Sequence, residues 1–234
     1  MQADIATIID RFPDLRIAVV IADGLAIPAE RPGALDAEIS AIEAEAAARF
    51  AETAMPDIPG VQVWREAYKA FGIKKTSYRC SVERLIRKVV RDGALARINP
   101  FVDAYNAVSL KHVFPLGADD LDHVTGNVCF RESRSGDSFL ALGEENPQDD
   151  PPKPGEIVYA DEAKVLCRRW NWYQDARSPV AVGTSRAIVT VQSLGPGDLQ
   201  AAVADLERLL AESCGGQTRH VVLDRHNPTL DLPC

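Results

Sequence analysis

The chain has 234 residues, 46% hydrophobic and 26% charged, with a net charge of −8. These are ordinary values for a globular protein, enough for one large core or two small ones. No apolar run approaches a membrane span, and the opening Met1-Gln2-Ala3-Asp4 lacks the basic and apolar runs of a signal peptide, so neither membrane nor export is expected.

The charge is sorted along the chain. Between positions 61 and 99 ten basic residues stand against three acidic ones, a local +7 that leaves −15 for the rest. Such asymmetry points to an anionic partner on one side, although a solvated helix face would read the same way. The five cysteines (Cys80, Cys129, Cys167, Cys214, Cys234) are scattered, never in CxxC spacing, and read as reduced thiols in a cytoplasmic protein.

In chain order, the β-branched run over 15–22 predicts a buried strand ended by Asp23-Gly24. Pro32-Gly33 opens a helix over 35–52, with Leu35, Ile39, Ile42 and Phe50 inward and Asp36, Glu38, Glu43 and Glu45 on the wet side. Residues 55–60 read as a loop and the best internal boundary. A helix follows over 61–71, with Trp64, Tyr68 and Phe71 on one stripe and Gly72 as its stop.

The strongest amphipathic pattern is 81–91. Val82, Leu85, Ile86, Val89 and Val90 make one face; Arg84, Arg87, Lys88 and Arg91 make a cationic ridge suited to phosphates. No recognition helix follows, which disfavours a helix-turn-helix. Asn99 then caps a helix starting at Pro100, where a missing N–H costs nothing. Phe101, Tyr105 and Val108 recur at helical spacing, and Asp103 and Asn106 share another face in need of partners.

Beyond this hub, short strands are predicted over 124–131, 138–142, 157–160, 163–167 and 187–192. An acidic, proline-rich loop over 143–155 lies between them, solvated or serving as a lid. Asp198 caps a helix through Leu199 to Leu210, and a last strand covers 219–223. Helices gather in the first half and strands in the second, so the fold class is α+β.

No Walker loop, GxGxxG, GxSxG or HExxH signature is present. His220, Asp224 and His226 come nearest to a ligand cluster, but their spacing argues for no metal, and no cofactor is expected. The odd feature is Arg168-Arg169-Trp170-Asn171-Trp172-Tyr173-Gln174-Asp175, where aromatic, cationic and amide groups crowd the end of a strand. Burying such groups without partners is costly, so the cluster reads as a pocket floor for a flat or polar ligand. Tryptophans stacked on their own arginines across a sheet surface are the alternative.

Three pieces of the sequence resemble the B3/B4 domain, the editing module of the phenylalanyl-tRNA synthetase β subunit. Ser81-Val82-Glu83-Arg84-Leu85 through Asp92-Gly93 to Ile98-Asn99 is similar to its helix and "IN" turn. Val102-Asp103 with Asn106 resembles its "VVDVTN" segment, followed by Pro115-Leu116 and Asp120-Leu121-Asp122. Ala160-Asp161-Glu162 and Thr184-Ser185-Arg186 resemble its "ADE" and threonine-rich entries. The resemblance covers 61–194, within a single domain of 1–234 that has an N-terminal extension (1–60) and a C-terminal helix and strand (195–234).

The resemblance implies helices packed on a mixed sheet layer, with the ligand site between the central helices and the strands. It implies a free-standing protein that hydrolyses the ester of a mischarged tRNA in trans, or a module that binds tRNA or an aminoacyl-like small molecule without turnover. A domain whose ridge meets an acidic protein is the third reading. Ester hydrolysis needs a positioned water and oxyanion donors, with neither metal nor strong nucleophile. The implied ligand residues are Asn171, Gln174 and Asp175 on water or the α-amino group, Trp170 and Trp172 as walls, and Thr184 as a supporting hydroxyl. Asp103 and Asn106 would hold backbone, and Arg84, Arg87, Lys88 and Arg91 would hold the acceptor stem. Two family features differ. A histidine after the proline-leucine pair is Gly117 here, and a glycine-rich "MGGE" stretch is replaced by the Trp170 cluster.

Overall fold

The computed structural model describes residues 1–73, 78–141 and 151–233. Lys74, Lys75, most of the acidic loop and the last residue of the strand expected over 138–142 lie outside them.

Two sheets form the frame. Strand β1 (Gln2–Asp4) is followed by the single-turn helix α1 (Ala6–Ile9), then β2 (Leu15–Asp23), α2 (Gly33–Phe50), α3 (Pro59–Ala70), α4 (Ser81–Asp92) and α5 (Pro100–His112). The second half adds β3 (Leu116–Asp120), β4 (Val128–Glu132), β5 (Ile157–Ala160), β6 (Val165–Arg168), β7 (Tyr173–Gln174), β8 (Arg186–Leu194), α6 (Leu199–Cys214), β9 (Gln217–Leu223) and β10 (Thr229–Asp231). One sheet runs β10-β1-β4-β5-β6-β7, and the other β3-β8-β2-β9. In the second sheet β2 and β8 pair antiparallel over nine residues, from Leu15 opposite Leu194 to Asp23 opposite Arg186. Buried on both faces over 17–22, β2 is unbroken apolar sequence there for that reason. The architecture is α+β, as the order of elements predicts.

Helix α5 is the hub in space as well. It touches α2, α4, α6 and β3, and ten of its thirteen residues are buried. The Asn99 side chain accepts from Val102 N at 3.0 Å and donates to Val180 O at 3.0 Å, so one cap ties the helix start to a distant loop. Asp198 caps α6 by accepting from Ala201 N at 3.0 Å. The main buried cluster draws hydrophobic residues from Ala3 to Leu232. No helix among the described residues is long and apolar enough to cross a membrane.

Several local expectations are corrected. Residues 55–60 are not a plain loop: Met55–Asp57 form a 3₁₀ turn, Pro59 starts α3, and Ile58 is buried in the main core. A side chain at Gly60 would come within 2.7 Å of Val113 O, so glycine lets α3 close on the end of α5. Glu43 does not face water; it is buried and accepts from Leu95 N at 2.9 Å, holding the loop before Asn99. The strand predicted over 124–131 begins only at Val128, because a turn through Gly126 (φ 67°) precedes it. Residues 138–141 form no ladder. They dock irregularly, through Val165 N to Ser138 O and Ala176 N to Leu140 O, both 2.8 Å. No strand is predicted over 116–120, yet β3 forms there, carries Asp119-Asp120 and pairs with β8 over its whole length.

Candidate functional site

A cavity of about 620 Å³ opens between α4, α5, the edge of the β3–β8 pair and the turn joining β6 to β7. That volume suits a small-molecule ligand. The pleat explains the sheet wall. Gly117 and Asp119 share one face of β3, and Thr190 stands opposite Gly117, two residues before Gln192 on the same face of β8. A side chain at Gly117 would meet nothing within 4 Å, so the residue opens space instead of relieving a clash.

The β6–β7 turn supplies the facing wall under strain. Arg169 and Trp170 are consecutive non-glycine residues in the left-handed region, at φ 45° and 68°. What holds them there is buried. Arg168 Nε and Nη2 each meet Glu156 at 3.0 Å, and Arg169 N donates to Glu156 Oε1 at 2.9 Å. The Trp170 ring is inserted among Phe12, Trp64 and Phe71, with centroids 4.7, 5.1 and 6.2 Å away. The turn thus drives Trp170 into the core and leaves Asn171, Trp172 and Gln174 on the cavity.

A directional chain of side chains lies behind the wall. Tyr68 Oη donates to Asn171 Oδ1 (2.9 Å), Asn171 Nδ2 to Gln192 Oε1 (3.0 Å), and Gln192 Nε2 to Thr190 Oγ1 (3.1 Å). With its oxygen already accepting, Thr190 keeps its hydroxyl proton for a ligand. Burial raises the Tyr68 pKa far above the ordinary phenol value, so that hydroxyl stays a donor.

Asp119 sits at the floor. Its Oδ1 accepts from Ser178 Oγ at 2.7 Å and Gln174 Nε2 at 3.0 Å. Burial pushes its pKa up to about 7 against those two bonds. The lining hydroxyls Tyr159 Oη and Ser81 Oγ are buried with no hydrogen-bond partner among the described residues. Such orphaned groups are costly unless something fills the cavity. The Cys167 thiol also lines it, its pKa raised by burial and by Asp119, so it is a thiol and not a thiolate.

The rim is cationic. Arg84, Arg87, Lys88 and Arg91 all lie along it, presented by α4, whose apolar side packs inward. Arg84 donates to Trp172 O at 2.8 Å with its guanidinium 4.1 Å from the Tyr173 ring centroid. Arg87 is tied to Glu83 at 2.9 Å, and Glu83, fully buried, also holds Arg65 (2.6 Å) and Arg79 (2.8 Å). Burial would raise the Glu83 pKa, but these arginines hold it below the ordinary range. Lys88 and Arg91 share Asp92, at 2.9 and 2.6 Å.

Of the residues singled out in the sequence, Asn106, Asn171, Trp172, Gln174 and the four ridge cations come together on this cavity. Four do not. Trp170 is core. Asp175 accepts from Leu140 N (2.7 Å) and from Arg177, bracing a neighbouring segment. Thr184 donates to Asp120 Oδ2 at 2.6 Å, away from the lining. Asp103 accepts from Arg31 and from Ile98 N and is not on the lining. Sequence reasoning missed Asp119, Tyr159, Thr190 and Gln192. One signal was there: Thr190 and Gln192 alternate with Val189 and Val191, a polar face on a buried strand.

A family model described as the B3/4 domain matches residues 63–208. The phenylalanine–tRNA ligase beta subunit of Chromobacterium violaceum is 35% identical over 80 residues, 34% of this chain and 10% of that protein. An N-terminal fragment of the phenylalanyl-tRNA synthetase beta subunit from Pyrococcus horikoshii aligns over 91% of this chain and 52% of its own length, at 13% identity and a TM-score of 0.45. The chain thus spans about a tenth of the curated relative and about half of the fragment. With well over half of its residues matched by the family model, the chain belongs to the B3/4 domain family.

Proposed function

We propose that the cavity receives the aminoacylated 3′ end of a tRNA and hydrolyses its ester, as an editing deacylase. One observation carries the reading: a single cavity joins a cationic rim to a floor of polar groups, two of them orphaned hydroxyls. The rim suits phosphates, and the aromatic wall of Trp172 and Tyr173 suits a base or side chain.

In the reaction, a water oxygen bonds to the ester carbonyl carbon and the bond from that carbon to the ribose oxygen breaks. The ribose oxygen takes one of the water's protons, the other is released to solvent, and the amino acid leaves as its carboxylate. The Thr190 hydroxyl and the Asn106 amide are the donors available to the developing oxyanion. Cys167, held as a thiol, is not a nucleophile, so the route is direct attack by water.

A second reading, binding of the same ligand without turnover, is favoured by the lack of a nucleophile hydrogen-bonded to a base among the lining residues. A panel of tRNAs, each carrying a wrong amino acid, separates the two. Loss of amino acid faster than in buffer supports the deacylase. Salt-sensitive binding with no loss from any tRNA supports the binding module.

A further inference from the structure

Among the described residues Asp119 is the only acidic side chain on the cavity, set against four cations on the rim. While Oδ1 is fully used by Ser178 and Gln174, Oδ2 has no hydrogen bond among the described residues. None of the described ion pairs involves Asp119. Lys164, a cation whose field acts on it, is committed to Asp161 at 3.0 Å. The other groups facing it are uncharged or acidic: Tyr105 from α5, Tyr159 from β5, Cys167 from β6, and Asp175 just beyond β7. Tyr159, only 3% exposed, adds a hydroxyl with no hydrogen-bond partner among the described residues. A buried carboxylate with an idle oxygen, lining the same cavity as an orphaned hydroxyl, lacks a cation that can donate several hydrogen bonds.

We infer that Asp119 and Tyr159 form a subsite for a primary ammonium group, on a ligand whose other end is anionic and meets the α4 ridge. An ammonium has three donors; Asp119 Oδ2 and Tyr159 Oη accept two, and the Asn106 carbonyl on the same lining is available to the third. The polarity of the cavity, positive at the rim and negative at the floor, matches such a ligand end to end. The inference rests on the proposed reading of the cavity as a site for an aminoacylated nucleotide end. The ammonium is either the α-amino group of the aminoacyl moiety or a side-chain amine.

The test is calorimetric binding, at pH 8, of three non-hydrolysable amide probes built on 3′-amino-3′-deoxyadenosine 5′-phosphate. The alanyl probe carries an α-ammonium, the 6-aminohexanoyl probe a distal one, and the propionyl probe none. One amine probe should bind about tenfold tighter than propionyl or more, and which one identifies the source. Asp119→Asn should reduce that preference to below about twofold. Tyr159→Phe, which deletes only an unpaired hydroxyl and should fold normally, should reduce it about threefold; it decides the matter if the Asn variant does not fold. Equal binding of all three probes, no binding of any, or a preference untouched by the variants overturns the subsite. Probe discrimination without ester hydrolysis keeps the subsite and removes the deacylase; hydrolysis without discrimination does the reverse.

Discussion

Arg31 closes on Asp103 with Nε and Nη2 both donating to Oδ2, at 3.1 and 2.9 Å, which leaves Asp103 Oδ1 to hold Ile98 N at 2.9 Å. Both side chains are about 5% exposed. The pair ties the N-terminal part of the chain to the helix that backs the cavity, and through Ile98 to the rim. Arg31→Met strands a buried carboxylate and should cost about 3–5 kcal/mol in urea unfolding. A loss under about 1 kcal/mol would contradict this account.

Asp119 makes stability fall with rising pH. Its folded pKa, near 7, lies above the ordinary carboxylate value. Between about pH 4 and 7 the folded chain therefore holds a proton that the unfolded chain has released, and this contribution is lost as pH rises through 7. At 1.36 kcal/mol per unit the loss reaches up to about 4 kcal/mol. Asp119→Asn should flatten that limb, so the variant gains on the parent at pH 8 compared with pH 5. Parallel curves for the two proteins would show that Asp119 does not titrate there.

Tyr68→Phe removes the first donor of the chain that ends at Thr190 and leaves Asn171 Oδ1 unpaired in the core. Stability should drop about 1–3 kcal/mol. With the Asn171 amide no longer oriented, turnover should fall more than ligand affinity does. Unchanged kcat with a raised KM would place the chain in binding alone.

The ridge is best probed at Lys88 and Arg91, because Arg87 also neutralises buried Glu83 and its loss would disturb the fold. Arg91 is 72% exposed at the side chain, so truncation should barely alter stability. Replacing both Lys88 and Arg91 by alanine should weaken tRNA binding and lower the magnitude of the log K against log salt slope by up to about 2. An unchanged slope would remove α4 from the interface.

The elements best read from sequence are those whose signal is local. The apolar run of β2, the two-faced pattern of α4 and the caps Asn99 and Asp198 each depend on a few neighbouring residues, and the structure follows them to within a residue or two at most ends. The meeting of the Asn171–Gln174 stretch with α5 and the cationic ridge was also readable, because polar groups crowded on apolar elements need partners from elsewhere.

Tertiary structure alone decided how the residues of that crowded stretch are divided. Two left-handed residues, held by Glu156 and by an aromatic nest drawn from α3 and the N-terminal region, send Trp170 inward and Trp172 outward. No periodicity encodes such a turn, since part of what sustains it is the packing of Trp170 on Phe12 and Trp64, more than a hundred residues away. The same holds for Asp119: no strand is predicted around it, and only the pairing of β3 with β8 buries it at the bottom of the cavity. Short-range patterning sets which segments form. Long-range burial sets which side chains face the ligand, because desolvation depends on everything that closes around a group and not on its neighbours in the chain.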